Sequence, residues 1–163
     1  SQPVASGGGF LGTRETGTAV YREGPRQRFS PFTATGGEVS YVYFRRGNSG
    51  QNMGELSAAI WDSTGTLLAY SSDCTQTIPA AGVYRYTLSS PITLTDGLTY
   101  WLGCRNGDLY GYVDYESVTG AGIQYEAVGT SGCQTPIDFS TPASEYSQTL
   151  CVWASNDPDE DGS

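Results

Sequence analysis

Apolar and polar positions alternate along much of this chain. In "GEVSYVYFRRG" Val42 and Phe44 fall on one side of an extended backbone, with Tyr41, Tyr43 and Arg45 on the other. In "ELSAAIWD" Leu56, Ala58 and Ile60 share a side and Trp61 takes the opposite one. A period of two belongs to a strand with one face toward a core. "AVYREG", "RQRFSPFTA", "TLLAYSS", "VYRYTL", "PITLTDG", "LTYWLGC", "LYGYVDY", "GIQYEAV" and "SQTLCVWAS" read as further strands, separated by Gly-rich turns. Pro31 interrupts the second of these and suits a sheet edge. Asn106-Gly107 is a strong hairpin signal and predicts that "LTYWLGC" pairs directly with "LYGYVDY". Helical periodicity is absent over any useful window. About nine or ten short strands predict an all-β protein, a two-sheet antiparallel β-sandwich of the jelly-roll kind.

Composition agrees. The chain has 163 residues, 37% hydrophobic, with 22 glycines. That length suits one domain able to bury about two-thirds of its unfolded surface. The expected organisation is a loose N-terminal segment over 1–12, a sandwich over 13–155, and an acidic tail or the start of a calcium-type repeat or linker over 156–163. No run of about 18 apolar residues exists to span a membrane. "SQPVASGGGF" lacks the charged and apolar regions of a secretory leader, as a mature or excised chain would, and as a cytosolic one would too.

The formal charge is -9, and all eight basic residues are Arg. Nucleic acid binding needs a concentrated basic surface, so this balance argues against it. An acidic, Lys-free surface suits a soluble protein in a salty or calcium-containing medium.

Cys74, Cys104, Cys133 and Cys151 are even in number and show no C-x-x-C spacing, and the chain has no histidine. Zinc wants clustered Cys and His ligands. Two disulfides in an oxidising, extracellular compartment are the expectation. Three pairings are open; proximity in sequence favours Cys74–Cys104 and Cys133–Cys151.

The lack of histidine excludes Ser–His–Asp and Cys–His catalysis. Carboxylate pairs drawn from Asp108, Asp114 and Glu116 remain formally able to cleave a glycosidic bond. Asp114 and Glu116 are nevertheless ordinary for a solvated strand face, so no catalysis is expected. The aromatic residues point elsewhere. If Tyr100, Leu102 and Cys104 face inward, Trp101 faces outward; if Leu109, Val113 and Tyr115 fill the core, Tyr110 and Tyr112 do not. Trp101, Tyr110 and Tyr112 would then form one exposed platform for the apolar face of a sugar ring. Arg105, Asn106 and Asp108, in the joining turn, would bind its hydroxyls. Packing alone also enriches strands in aromatics, so cover by a loop is the plainer alternative. Trp61 with Tyr41 and Tyr43 is a second such face, and Trp153 beside Cys151 reads as core. In the tail, Asp157, Asp159 and Asp161 precede Gly162 at alternate positions, the opening of a calcium loop without its distal ligand.

The blocks "RFSPFTATGGEVSYVYFRRG", "GELSAAIWDSTGTLLA" and "SSPITLTDGLTYWLGC" resemble a choice-of-anchor or appendage-type β-sandwich of secreted bacterial and virion surface proteins. The likeness covers about residues 28–125, in structural glycines and core positions; it carries over no site residue, and the cysteines lie outside it. It implies an accessory, adhesive or carbohydrate-binding role. The reading is a non-catalytic extracellular module that binds a polysaccharide or other glycan within a larger secreted protein. The competing class is a decoration or adhesion domain of a virion or cell surface that works through protein–protein contacts.

Overall fold

Val42 and Phe44 do turn inward, against a second layer of strands. The computed structural model describes residues 8–23, 26–47, 55–71, 74–75, 81–106, 113–126, 136–140 and 144–162. These residues form twelve strands and no helix. In chain order they are β1 (Phe10–Gly12), β2 (Ala19–Glu23), β3 (Arg26–Thr33), β4 (Gly37–Arg46), β5 (Glu55–Asp62), β6 (Leu67–Tyr70), β7 (Cys74–Thr75), β8 (Gly82–Leu94), β9 (Thr99–Asn106), β10 (Val113–Glu126), β11 (Ser144–Leu150) and β12 (Val152–Ser155). One sheet has four strands in the order β1-β12-β4-β8. The other has eight, running β11-β10-β3-β9-β5-β6, with β2 on β10 and β7 on β5. All the strand pairings are antiparallel, and the two sheets make an all-β sandwich. Among the described residues no helix is long and apolar enough to cross a membrane.

The alternating positions fill the space between the sheets. Leu11, Val39, Val42, Phe44, Val152 and Ala154 come from the smaller sheet. Ala58, Ile60, Tyr100, Leu102, Tyr115 and Leu150 meet them from the larger. Burying each large apolar side chain contributes about 1.5–3 kcal/mol, so this layer carries much of the stability.

Pairing between distant strands departs from the sequence reading in several places. β9 does not form a hairpin with β10, because β3 lies between them, pairing Phe29 with Gly103 on one side and with Ile123 on the other. The glycine is needed: a Cβ on Gly103 would collide with the Arg28 carbonyl. β3 is therefore an interior strand, although its pairing to β10 stops at Phe29, two residues before Pro31. Proline's missing N–H falls where that flank is unpaired, which keeps the physical sense of the edge expectation. "VDYES" and "GIQYE" belong to the single strand β10, whose register to β11 shifts between Thr119 and Gly122. Tyr115 before this bulge faces the inter-sheet core, and Ile123 after it faces outward. Part of the N-terminal segment is collected, since Phe10–Gly12 pairs with Ser155–Trp153 of β12.

The proposed disulfides also fail. Leu56 of β5 has Cys74 opposite it on one flank and Asn106 on the other, so β5 separates Cys74 from Cys104. Two strand spacings amount to about 9.5 Å, beyond the roughly 4.4–6.8 Å between Cα atoms that a disulfide spans. Cys151 holds a free, buried thiol, so the Cys133–Cys151 bond is not formed, and Cys133 lies outside the described residues. Cys151 is instead the one residue joining β11 in the large sheet to β12 in the small one. Its N–H donates to the Glu116 carbonyl (3.1 Å) and its carbonyl accepts from Arg45 N–H (3.0 Å). Burial, with Glu116 nearby, pushes this thiol up to about 12.

Both outer faces are partly covered. On the large sheet, Phe29, Ala59, Trp61 and Ile123 form a second cluster with Ile137. Residues 136–140 close over it, anchored by Ile137 N–H to the Gly65 carbonyl (2.8 Å). On the small sheet, the acidic tail folds back. Tyr43 stacks on Trp153 at 5.4 Å, and its hydroxyl donates to the Asp157 carbonyl. Arg85 reaches the Pro158 carbonyl (2.6 Å), Arg45 the Gly162 carbonyl (2.9 Å), and Arg14 the Glu160 carboxylate (2.5 Å). Trp61 and Tyr43 are thus on opposite outer faces, each fully covered, and form no shared platform.

Candidate functional site

An aromatic opening lies on the large sheet, where β10 leaves β3. Alternation in β9 sends Tyr100 and Leu102 to the core and Trp101 to the outer face. Trp101 pairs with Pro31 of β3, beyond the point where β10 has parted. The β10 bulge at Gly120–Gly122 widens the break. A groove of about 550 Å³ results, lined by Trp101, Gly120, Ala121, Gly122, Ile123, Phe139, Glu145 and Ser147. That size is in the range of small-ligand sites, roughly 300–1,000 Å³.

Trp101 is half-buried. One side of it meets Phe139, whose ring centre lies 5.2 Å away at 45°. The rest borders the groove. Phe139 is carried by a short turn in which Asp138 accepts from the Ser140 N–H (2.9 Å) and hydroxyl (2.5 Å). The opposite rim is β11, with Glu145 opposite Ile123 and Ser147 two residues on, both exposed. The floor is nearly free of side chains at Gly120–Gly122. There Thr149 holds the bulge by accepting the Ala121 N–H at 3.0 Å, and a Cβ on Gly120 would overlap its hydroxyl. An apolar ring wall facing a carboxylate and a hydroxyl across an open floor can hold a flat molecule with one apolar face and a polar edge.

The residues expected at this site are only partly brought together. Trp101 is in place. Arg105 and Asn106 are on β9, four and five residues further on. Asp108, Tyr110 and Tyr112 lie outside the described residues, and the hairpin that was to bring the two tyrosines beside Trp101 is replaced by β3. Phe139, Glu145 and Ser147 were not foreseen. The one local signal was "GAG" within a strand, a glycine pattern that marks bulges.

Glu116 and Asp157 have other tasks, while Asp108 and the Asp114 side chain lie outside the described residues. Glu116 accepts from Gly17 N–H (2.5 Å) and lies 3.8 Å from Arg45, between elements. Asp157 accepts the Asp159 N–H at 2.9 Å. Among the described residues no three Asp, Glu, Cys or His side chains gather closely enough to share a metal ion. A second groove of about 540 Å³ runs between the two ends of the chain, past Phe10, Arg14 and Glu160. Several of its polar groups are engaged: Glu160 by Arg14 and Ser155, and the Asn156 Oδ1 by the Ser40 hydroxyl.

Burial pushes the Glu160 carboxyl up. Hydrogen bonds from Arg14 and Ser155, the Arg14 charge, and the Trp153 indole N–H more than offset this, so Glu160 sits below its ordinary 4.5. The indole contributes as a dipole facing the carboxylate, its geometry falling short of a formed hydrogen bond.

Residues 27–151 match the model of a family described as a domain of unknown function, DUF4082. The match names no anchor or carbohydrate-binding family. No curated protein matches the chain.

Proposed function

We propose that this chain, which belongs to the DUF4082 family, is a non-catalytic carbohydrate-binding module of an extracellular protein, with a glycan held in the groove beside Trp101. The observation that supports this reading is the position of Trp101. Alone among the three tryptophans it is not sealed inside the molecule, and it borders an open groove facing polar groups. The apolar face of a pyranose stacks on the indole, Phe139 backs the ring, and Glu145 and Ser147 accept hydroxyl protons from the sugar edge. The bare glycine floor admits the ligand close to the backbone.

Isothermal titration against a panel of soluble polysaccharides, with and without calcium, tests this. Trp101→Ala is expected to weaken binding about tenfold or more, the scale of losing roughly 1.5 kcal/mol of ring contact. Leu98→Ala, at an exposed position next to β9, should leave it unchanged. Equal affinity of wild type and Trp101→Ala for every glycan would overturn the site. A protein that binds no glycan but assembles with rising concentration would instead support the decoration-domain reading.

A further inference from the structure

We infer that the groove selects neutral or amino-bearing glycans and rejects uronate and sulfated chains, an inference that rests on the carbohydrate-binding reading above. It follows from the charges at the wall. Of the lining residues only Glu145 carries a charge; Trp101, Phe139 and Ile123 are apolar, Ser147 is a neutral hydroxyl, and the floor is Gly120, Ala121 and Gly122. A sugar hydroxyl donating to the Glu145 carboxylate makes a charge-assisted hydrogen bond, stronger than a neutral one. The ammonium of an amino sugar adds ion pairing at the same atoms.

An anionic sugar meets the opposite situation. Its carboxylate or sulfate would be partly desolvated beside Glu145 with no lining cation to offset it. Arg28 turns inward, its guanidinium 4.6 Å from the centre of the Tyr115 ring. The chain as a whole carries -9, which adds a long-range repulsion. Position on the strand also matters. Glu145 and Ser147 are two residues apart on β11 and therefore share its outer face. They present two acceptors in a row about 7 Å apart. A row of acceptors suits a ligand rich in hydroxyl donors.

The test compares a neutral β-glucan oligomer, a chitosan oligomer and an oligogalacturonate of equal length by titration at low salt. The neutral and amino oligomers are expected to bind, with the oligogalacturonate at least about tenfold weaker. Glu145→Gln should shrink that gap to within about threefold, mainly by weakening chitosan and admitting the uronate. Glu38→Gln, an equal change of net charge on the other sheet, should leave the gap intact. Oligogalacturonate binding as tightly as the neutral oligomer, and lost in Trp101→Ala, would overturn the selectivity and leave the glycan site standing. Binding of all three probes unaffected by Trp101→Ala would overturn the site itself.

Discussion

The three tryptophans differ in what covers them, and this decides what each contributes. Trp61 is fully buried, edge-on to Phe29 with ring centres 4.5 Å apart. Truncating it leaves a large cavity, so Trp61→Ala should cost about 3–5 kcal/mol in urea unfolding. Trp101→Ala should cost less than half of that, because its ring is already in part against solvent. Acrylamide quenching of native fluorescence should fall chiefly on Trp101, and replacing it with Phe should remove most of the quenchable emission. Cys151 makes a different prediction. Its thiol is buried and pushed up to about 12, so almost no thiolate exists near neutral pH. Iodoacetamide should leave Cys151 unmodified in the native protein and label it after unfolding without reductant. Modification blocked until a reductant is added would mean the residue is disulfide-bonded after all.

Among the strands, what the sequence made legible was local, and what it hid was pairing between distant segments. Inward and outward faces of β4 follow from alternation within ten residues, and they are as read, as are those of Ala58, Ile60 and Trp61 on β5. The Asn106-Gly107 signal suggested that β9 and β10 are neighbours, yet β3 pairs with β9 over seven residues, from Gln27↔Arg105 to Thr33↔Thr99. A turn signal reports local backbone preference and cannot show that a strand from earlier in the chain has taken the place beside it. The groove was hidden for the same reason. Trp101 was identifiable as outward-facing, whereas Phe139, Glu145 and Ser147 reach it only through the β10–β11 register and the turn over Trp61. The β3–β9 contact also depends on a close approach. Gly103→Ala places a methyl against the Arg28 carbonyl, and is expected to destabilise by about 1–3 kcal/mol, measured as a lower urea midpoint with unchanged slope.

Over the whole molecule, stability should fall at both ends of the pH scale for identifiable reasons. Glu160 sits below its ordinary 4.5 in the fold, so its contribution is complete above that value and disappears as pH drops through the lower folded one. Glu160→Gln should lower the melting temperature at pH 7 and show a smaller further drop on acidification. On the alkaline side Cys151 is raised from 9.0 to about 12, and Tyr43 is raised from 10.0, mainly by burial. Groups raised in this way stabilise fully below their unfolded values and lose that effect as pH climbs through the folded ones. Melting temperature should therefore decline above pH 9, less steeply in Cys151→Ala. The tail that carries Glu160 has a further consequence. β1 and β12 are antiparallel neighbours in the smaller sheet, with Phe10 opposite Ser155, so the described N-terminal strand and the strand that leads into the tail lie side by side. The glycine-floored groove opens on the outer face of the other, larger sheet, so the layer that holds both of these strands stands behind it.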